Sequence, residues 1–142
     1  MKPNKLNIQL IKFQQHGDER GMLVSLEDSS EIGFDIKRIY YMYDTKIGVR
    51  RGYHAHRHLQ QVLICISGKC KIRLDNGIES VEVQLSNPYT GLFVDKMIWH
   101  EMYDFDSETV LMSVASHVYD EKDYIRDYQG FVSEVKNRSE HQ

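Results

Sequence analysis

The stretch Gly48-Val-Arg-Arg-Gly-Tyr-His54-Ala-His56 concentrates the side chains best able to do chemistry. Residues two apart on an extended strand share a face. His54 and His56 therefore project to one side, close enough to act on adjacent atoms of a single ligand. Imidazoles so placed support two chemistries. They can clamp a divalent ion, or, left free, they ionise near neutral pH and serve as general acid and base. The chain holds seven histidines, so such a pair also arises by chance, and its surroundings must decide.

The elements that would hold this pair are short strands. Asn7 to Phe13 and Met22 to Leu26 alternate, and Arg38 to Tyr43 is rich in aromatic and β-branched residues. Val62 to Ile66 is apolar throughout and reads as a buried strand. Lys71 to Leu74 and Ser80 to Leu85 flank Asp75-Asn76-Gly77, a hairpin signal of the type I′ kind. Leu92 to Val94, Ile98 to Tyr103 and Val110 to Ala115 supply further strands. Many short strands with polar turns imply an all-β sandwich or barrel. Ile125, Tyr128, Val132 and Val135 fall on one helical face, with Asp120 and Asp123 near its expected start. One C-terminal helix packed outside an antiparallel β body is expected, with a polar, frayed tail from about 137.

Length and composition set outer limits. The 142 residues fit one domain, 1–142, with no internal linker. Net charge is -3 and no basic block stands out, so no nucleic-acid partner is expected. The start has no uninterrupted apolar core and no segment reaches membrane-spanning length, so a cytoplasmic protein without membrane contact is expected. Cys65 and Cys70 read as buried apolar thiols.

Gly48, His54, His56, Gln61 and Gly68 resemble the first cupin motif in type and spacing, which implies a cupin-type antiparallel β-barrel, a jelly roll. His100 stands for the histidine of the second motif, where Asp95 and Met97 replace the usual proline and glycine. Metal cupins hold their ion with three histidines and a carboxylate. Gln61, in the carboxylate place, contributes no charge and is a poorer ligand. No metal and no cofactor is therefore expected, although three imidazoles can still bind zinc. A closer resemblance spans nearly the whole chain. Asp18 to Gly21, Lys37 to Tyr41, Arg50 to His56, Gln60 to Ile64, Trp99 to Phe105 and Tyr119 to Tyr128 together resemble the dTDP-sugar 3,4-ketoisomerase family.

That resemblance implies conversion of dTDP-4-keto-6-deoxy-D-glucose to a dTDP-3-keto-6-deoxyhexose for 3-amino-3,6-dideoxysugar synthesis, as for O-antigen. It also implies a homodimer that exchanges N-terminal strands. His54 and His56 become the expected catalytic pair, moving protons through an enediol, with the roles inside the pair open. Arg51 and Tyr41 are candidate donors to the enediolate. Arg20 is a candidate substrate contact across the dimer, and Gln61 and His100 are candidate contacts to sugar oxygens. Tyr103 faces either the nucleotide base or the core, and Trp99 is expected in the core. The unbroken Arg20-Gly21 leans toward a galacto product. The competing readings are a dTDP-keto-sugar 3,5-epimerase, a metal-dependent cupin oxygenase and a non-catalytic sugar-binding cupin.

Overall fold

The unbroken apolar run at Val62–Ile66 belongs to a strand covered on both faces. In the computed structural model, which describes residues 6–27 and 29–141, Gln61–Ser67 is the middle strand of a five-stranded antiparallel sheet. In chain order the strands are β1 (Gln9–Lys12), β2 (His16–Asp18), β3 (Gly21–Leu23), β4 (Arg38–Met42), β5 (Arg51–His56), β6 (Gln61–Ser67) and β7 (Cys70–Asp75). They continue with β8 (Ser80–Leu85), β9 (Thr90–Val94), β10 (Trp99–Tyr103), β11 (Val110–Ala115) and β12 (Tyr124–Ile125). Helix α1 (Ser29–Ile32) lies between β3 and β4, and α2 (Tyr128–Glu140) closes the chain. The first sheet has the order β1-β9-β6-β11-β4 and the second β12-β5-β10-β7-β8, while β2 and β3 form a separate hairpin.

Three apolar clusters stack the layers. Leu63, Cys65 and Leu111 of the first sheet meet Ile72, Leu74 and Met102 of the second. The opposite phase of β6, Val62 and Ile64, packs under Phe13, Ile32 and Phe34. Ala55, Trp99 and Ile125 carry Phe131 of α2 on the far side of the second sheet. Trp99 is thus a core residue, 3% exposed. Both cysteines are free and buried.

Two expected local details differ. Helix α2 begins at Tyr128, not near Asp120. Asp127 caps it, accepting from the Gly130 amide at 2.8 Å. Asp120 caps a separate 3₁₀ turn, Glu121–Asp123, and Ile125 sits in β12 opposite Ala55. The helix runs through Glu140. The hairpin signal at Asn76-Gly77 is real, but the ladder closes at Asp75–Ser80. The connection is therefore four residues long, and Asn76 Oδ1 accepts from the amides of Ile78 and Glu79. Among the described residues no helix is long and apolar enough to cross a membrane.

Candidate active site

Cross-strand register fixes which residues share the space between the sheets, because residues directly opposite each other point the same way. In the first sheet Gln61 pairs with Ala115 and Leu63 with Ser113, and these pair in turn with Arg38 and Tyr40. In the second sheet Leu74 pairs with His100 and His100 with His54. One end of the sandwich interior is therefore polar, with Arg38, Tyr40, Gln61 and Ser113 facing His54, His56 and His100. The ladder shifts between β10 and β5. His100 opposes His54, but Glu101 opposes Gly52, so Tyr53 is an extra, bulged residue. That bulge sets Arg51 opposite Met102, on the same phase as the histidines. Strict alternation from His54 would turn Arg51 the other way.

The three imidazoles are packed together. Ring centroids of His54 and His56 are 4.9 Å apart, His54 and His100 4.6 Å, and His56 and His100 5.9 Å. Tyr124 of β12 lies against His54 and His56 at 4.9 and 4.4 Å. His54 Nδ1 faces the Gly52 carbonyl at 3.1 Å, which only accepts, so Nδ1 carries the proton and Nε2 keeps its lone pair. Asp123 Oδ2 stands 3.6 Å from His56 Nδ1. Its carboxyl is pushed up by burial but held below its ordinary value by the amides of Leu59 and His58 and the His58 ring. Both ring nitrogens of His56, and Nε of Arg38, are the buried side-chain polar atoms without a partner among the described residues. Such orphans call for a ligand or water.

Burial governs the charge state. It lowers His54 to about 4, against the opposing Gly52 hydrogen bond. Burial, then the nearby His54, lower His56 to about 3, and Arg38 pushes the same way. Burial also holds His100 well below 6.5 and raises Tyr40 above 10.0. At neutral pH the trio is uncharged. Cations surround it: the Arg38 guanidinium lies 4.8 Å over the Tyr40 ring, and that of Arg126 lies 4.3 Å over Tyr124.

The ligating nitrogens of His54, His56 and His100 lie within 4.8 Å of one another, the closeness of a metal clamp. The donor set does not fit an ion. His100 Nε2 is 3.1 Å from the Gln61 amide nitrogen and its Nδ1 is 3.2 Å from the Ile98 carbonyl, so both nitrogens already have partners.

The sequence candidates divide. His54, His56, Gln61 and His100 come together on the interior phase, whereas Arg51 shares that phase by register but lies exposed at the start of β5. Tyr41 does not: it is 61% exposed on the outer face of β4, beside Tyr43. The interior tyrosine is Tyr40, whose hydroxyl reaches Gln61. Tyr103 lies on the outer phase of β10 but is buried, its hydroxyl on the Glu82 carboxylate and its ring 4.0 Å under Arg50. Arg20 sits on the β2–β3 hairpin outside both five-stranded sheets, held by Asp18 at 2.7 Å. Sequence reasoning missed Arg38, Tyr40, Asp123 and Tyr124. Alternation in Arg38–Met42 groups Arg38 with Tyr40, but alone it does not say which phase is interior.

A two-sheet jelly roll with a cluster of neutral histidines at one polar end of its interior has the architecture of a cupin. The chain belongs to the FdtA family (WxcM-like, C-terminal), whose model matches residues 6–136. It is 48% identical over 122 residues to the TDP-4-oxo-6-deoxy-alpha-D-glucose-3,4-oxoisomerase of Aneurinibacillus thermoaerophilus, covering 86% of this chain and 88% of that one. A 3,4-ketoisomerase from Helicobacter canadensis superposes with TM-score 0.90 at 43% identity, over 93% and 99% of the two chains. A histidine-to-asparagine mutant of the Thermoanaerobacterium thermosaccharolyticum 3,4-ketoisomerase, in complex with TDP-4-keto-6-deoxyglucose, gives TM-score 0.91 at 42% identity over 95% and 98%. The fold is the cupin jelly roll, and the enzyme is an isomerase, a sugar 3,4-ketoisomerase.

Proposed function

We propose that this chain converts dTDP-4-keto-6-deoxy-D-glucose to the dTDP-3-keto-6-deoxyhexose of galacto configuration, for amination at C3. The observation that carries the reading is the pair His54 and His56, neutral and side by side on one face of β5. The 4-keto group acidifies the hydrogen on C3. His54 Nε2, its lone pair left free by the bond from Nδ1–H to Gly52, takes that proton. The C3–H electrons form the C3–C4 double bond and the C4 oxygen becomes an oxyanion. His56, with both nitrogens open, moves the hydroxyl proton from O3 toward O4. His54 then returns its proton to C4, and the ketone is left at C3.

Stereochemistry supports the galacto product. In the gluco configuration the C3 and C4 hydrogens lie on opposite faces of the ring; in the galacto configuration they lie on the same face. One histidine face that removes from C3 and returns to C4 on the same side makes the galacto isomer. A gluco product needs a second donor across the sugar. Arg38, with its buried unpartnered Nε, and Arg51, on the interior phase after the bulge, supply the positive charge the enediolate calls for. Arg20 acts across a homodimer contact on the diphosphate, which its fork geometry suits. Here β1 pairs with β9 of its own chain, which leaves the β2–β3 hairpin as the element available for exchange.

The test is incubation with dTDP-4-keto-6-deoxyglucose carrying deuterium at C3, followed by NMR of the product. The expected product has an axial hydroxyl and part of the label at C4. An equatorial C4 hydroxyl overturns the same-face transfer. Exchange at C5 assigns the chain to 3,5-epimerase chemistry, and dTDP-sugar binding without turnover assigns it to the non-catalytic cupins.

A further inference from the structure

Two hydroxyls converge on one amide oxygen. Tyr40 Oη donates to Gln61 Oε1 at 2.8 Å and Ser113 Oγ donates to the same atom at 2.7 Å. Both lone pairs of that oxygen are filled. The other end of the amide, Nε2, is 3.1 Å from His100 Nε2. An amide nitrogen can only donate, so His100 Nε2 must accept. His100 Nδ1 faces the Ile98 carbonyl at 3.2 Å, which also only accepts, so Nδ1 must carry the proton.

The amide cannot be turned round without cost. Reversed, Gln61 would set its oxygen against His100 Nε2 and demand a proton there. The Nδ1 lone pair would then face the Ile98 carbonyl, unless the ring carried both protons. A charged imidazolium at a site 1% exposed is opposed by desolvation.

We infer that Gln61 is a positioning residue that locks His100 as its Nδ1–H tautomer, so that the third nitrogen of the His54–His56–His100 trio cannot bind a metal ion. The lone pair that would ligate is held by the Gln61 amide proton. Tyr40 and Ser113 are what hold the amide in that sense. The trio keeps the outline of a metal clamp, yet only two of its imidazoles can offer a lone pair. A glutamate at this place removes the amide proton and supplies an anionic oxygen, so an ion could sit between it and His100 Nε2. This inference shares the site with the proposed reaction but does not rest on it, since neither readout below is turnover.

The experiment uses the full chain with ¹⁵N-labelled histidine. Long-range ¹H–¹⁵N spectra at pH 7 should show His100 neutral, protonated at Nδ1 and bare at Nε2. Dialysis against excess Zn²⁺ and then buffer should leave the native protein well below one ion per chain. Gln61→Glu should take up one ion per chain, with affinity raised on the order of 100-fold, and lose the Nδ1–H pattern when metal-free. An Nε2–H or doubly protonated His100 in the native protein overturns the inference. So does stoichiometric zinc in the native protein, or a folded Gln61→Glu protein with unchanged tautomer and metal content. The native spectrum decides even where Gln61→Glu fails to fold.

Discussion

Acidification should weaken this fold well before its carboxylates titrate, and the cause is the histidine pair. In the unfolded chain a histidine ionises near 6.5; in the fold, burial lowers His54 to about 4 and His56 to about 3. The folded state therefore resists protonation that the unfolded state accepts. Stability is fully present above the unfolded value and is lost as pH falls from 6.5 toward the folded values. At pH 5 the unfolded histidine has gained about 1.5 pH units of protonation free energy while the folded ones have gained almost none. At about 1.4 kcal/mol per unit that is about 2 kcal/mol for each residue, or roughly 4 kcal/mol for the pair. Against a total of roughly 5–15 kcal/mol this is a large fraction. The buried His100, lowered in the same direction, adds to it. Trp99, the single tryptophan and packed against Phe131 at 5.9 Å, reports unfolding by its fluorescence. Urea melts from pH 7.5 to 5.0 should show the midpoint falling by roughly 2 M, with a typical urea slope of about 2 kcal/mol per M. His56→Asn should remove about 1 M of the fall, its own share of about 2 kcal/mol. A flat profile over this range, or an equally steep one in the His54→Asn/His56→Asn double variant, would refute the reasoning.

Single replacement of His54 or His56 by asparagine should lower ketoisomerase kcat by roughly 10²–10⁴-fold, the usual worth of a positioned acid–base group. TDP affinity by calorimetry should change little, because in the proposed reaction the pair acts on the sugar and not on the nucleotide. Phe131→Ala should cost about 3–5 kcal/mol in urea melts, since Phe131 is fully buried between α2 and the second sheet. Loss of that packing also loosens β12, and with it Tyr124 beside the histidines.

Much of the fold was legible because its strands are amphipathic at period two. Val81, Val83 and Leu85 mark one face of β8, and Val110–Ala115 emerges with the bounds its composition implies. The start of α2 was misread because Ile125 continues the helical phase by coincidence. It is buried under the helix as a strand residue, and a spacing pattern cannot distinguish the two. At the site, His54, His56, Gln61 and His100 were found from spacing and likeness to a motif. Tyr41 was named as a donor in a stretch that also reads as a core strand, and Ile39, Tyr41 and Tyr43 form its more apolar phase. The structure turns that phase outward, and the amphipathic Arg38–Tyr40–Met42 phase inward, because the interior here is polar at one end. Tyr103, left open between the base and the core, is buried on the outer phase of β10, while its neighbour Met102 takes the position between the sheets. Asp123 and Tyr124 were invisible as site residues, since only the pairing of β12 with β5 carries them back to His56.

The feature least available to sequence patterning is the bulge at Tyr53, which puts Arg51 on the same phase of β5 as His54 and His56. Both bulge residues have left-handed backbone, Gly52 at φ 90° and Tyr53 at φ 61°. Gly52 is required twice over. A Cβ there would lie 2.8 Å from the His100 carbonyl oxygen and 3.0 Å from Met102 Sδ, besides the strain of the positive φ. Gly52→Ala must therefore push β5 away from β10 or remove the bulge. Removing it restores strict alternation: either His54 keeps His100 opposite and Arg51 turns to the other face, or Arg51 keeps Met102 opposite and His54 loses its register with His100. The expected result is a stability loss of roughly 2 kcal/mol or more, with ketoisomerase activity falling more than the loss of folded protein explains. Far-UV circular dichroism and kcat on the folded fraction separate the two effects. A folded Gly52→Ala enzyme with native kcat and KM would mean that β5 tolerates the shift, and that neither the bulge nor the side it gives Arg51 matters to the reaction.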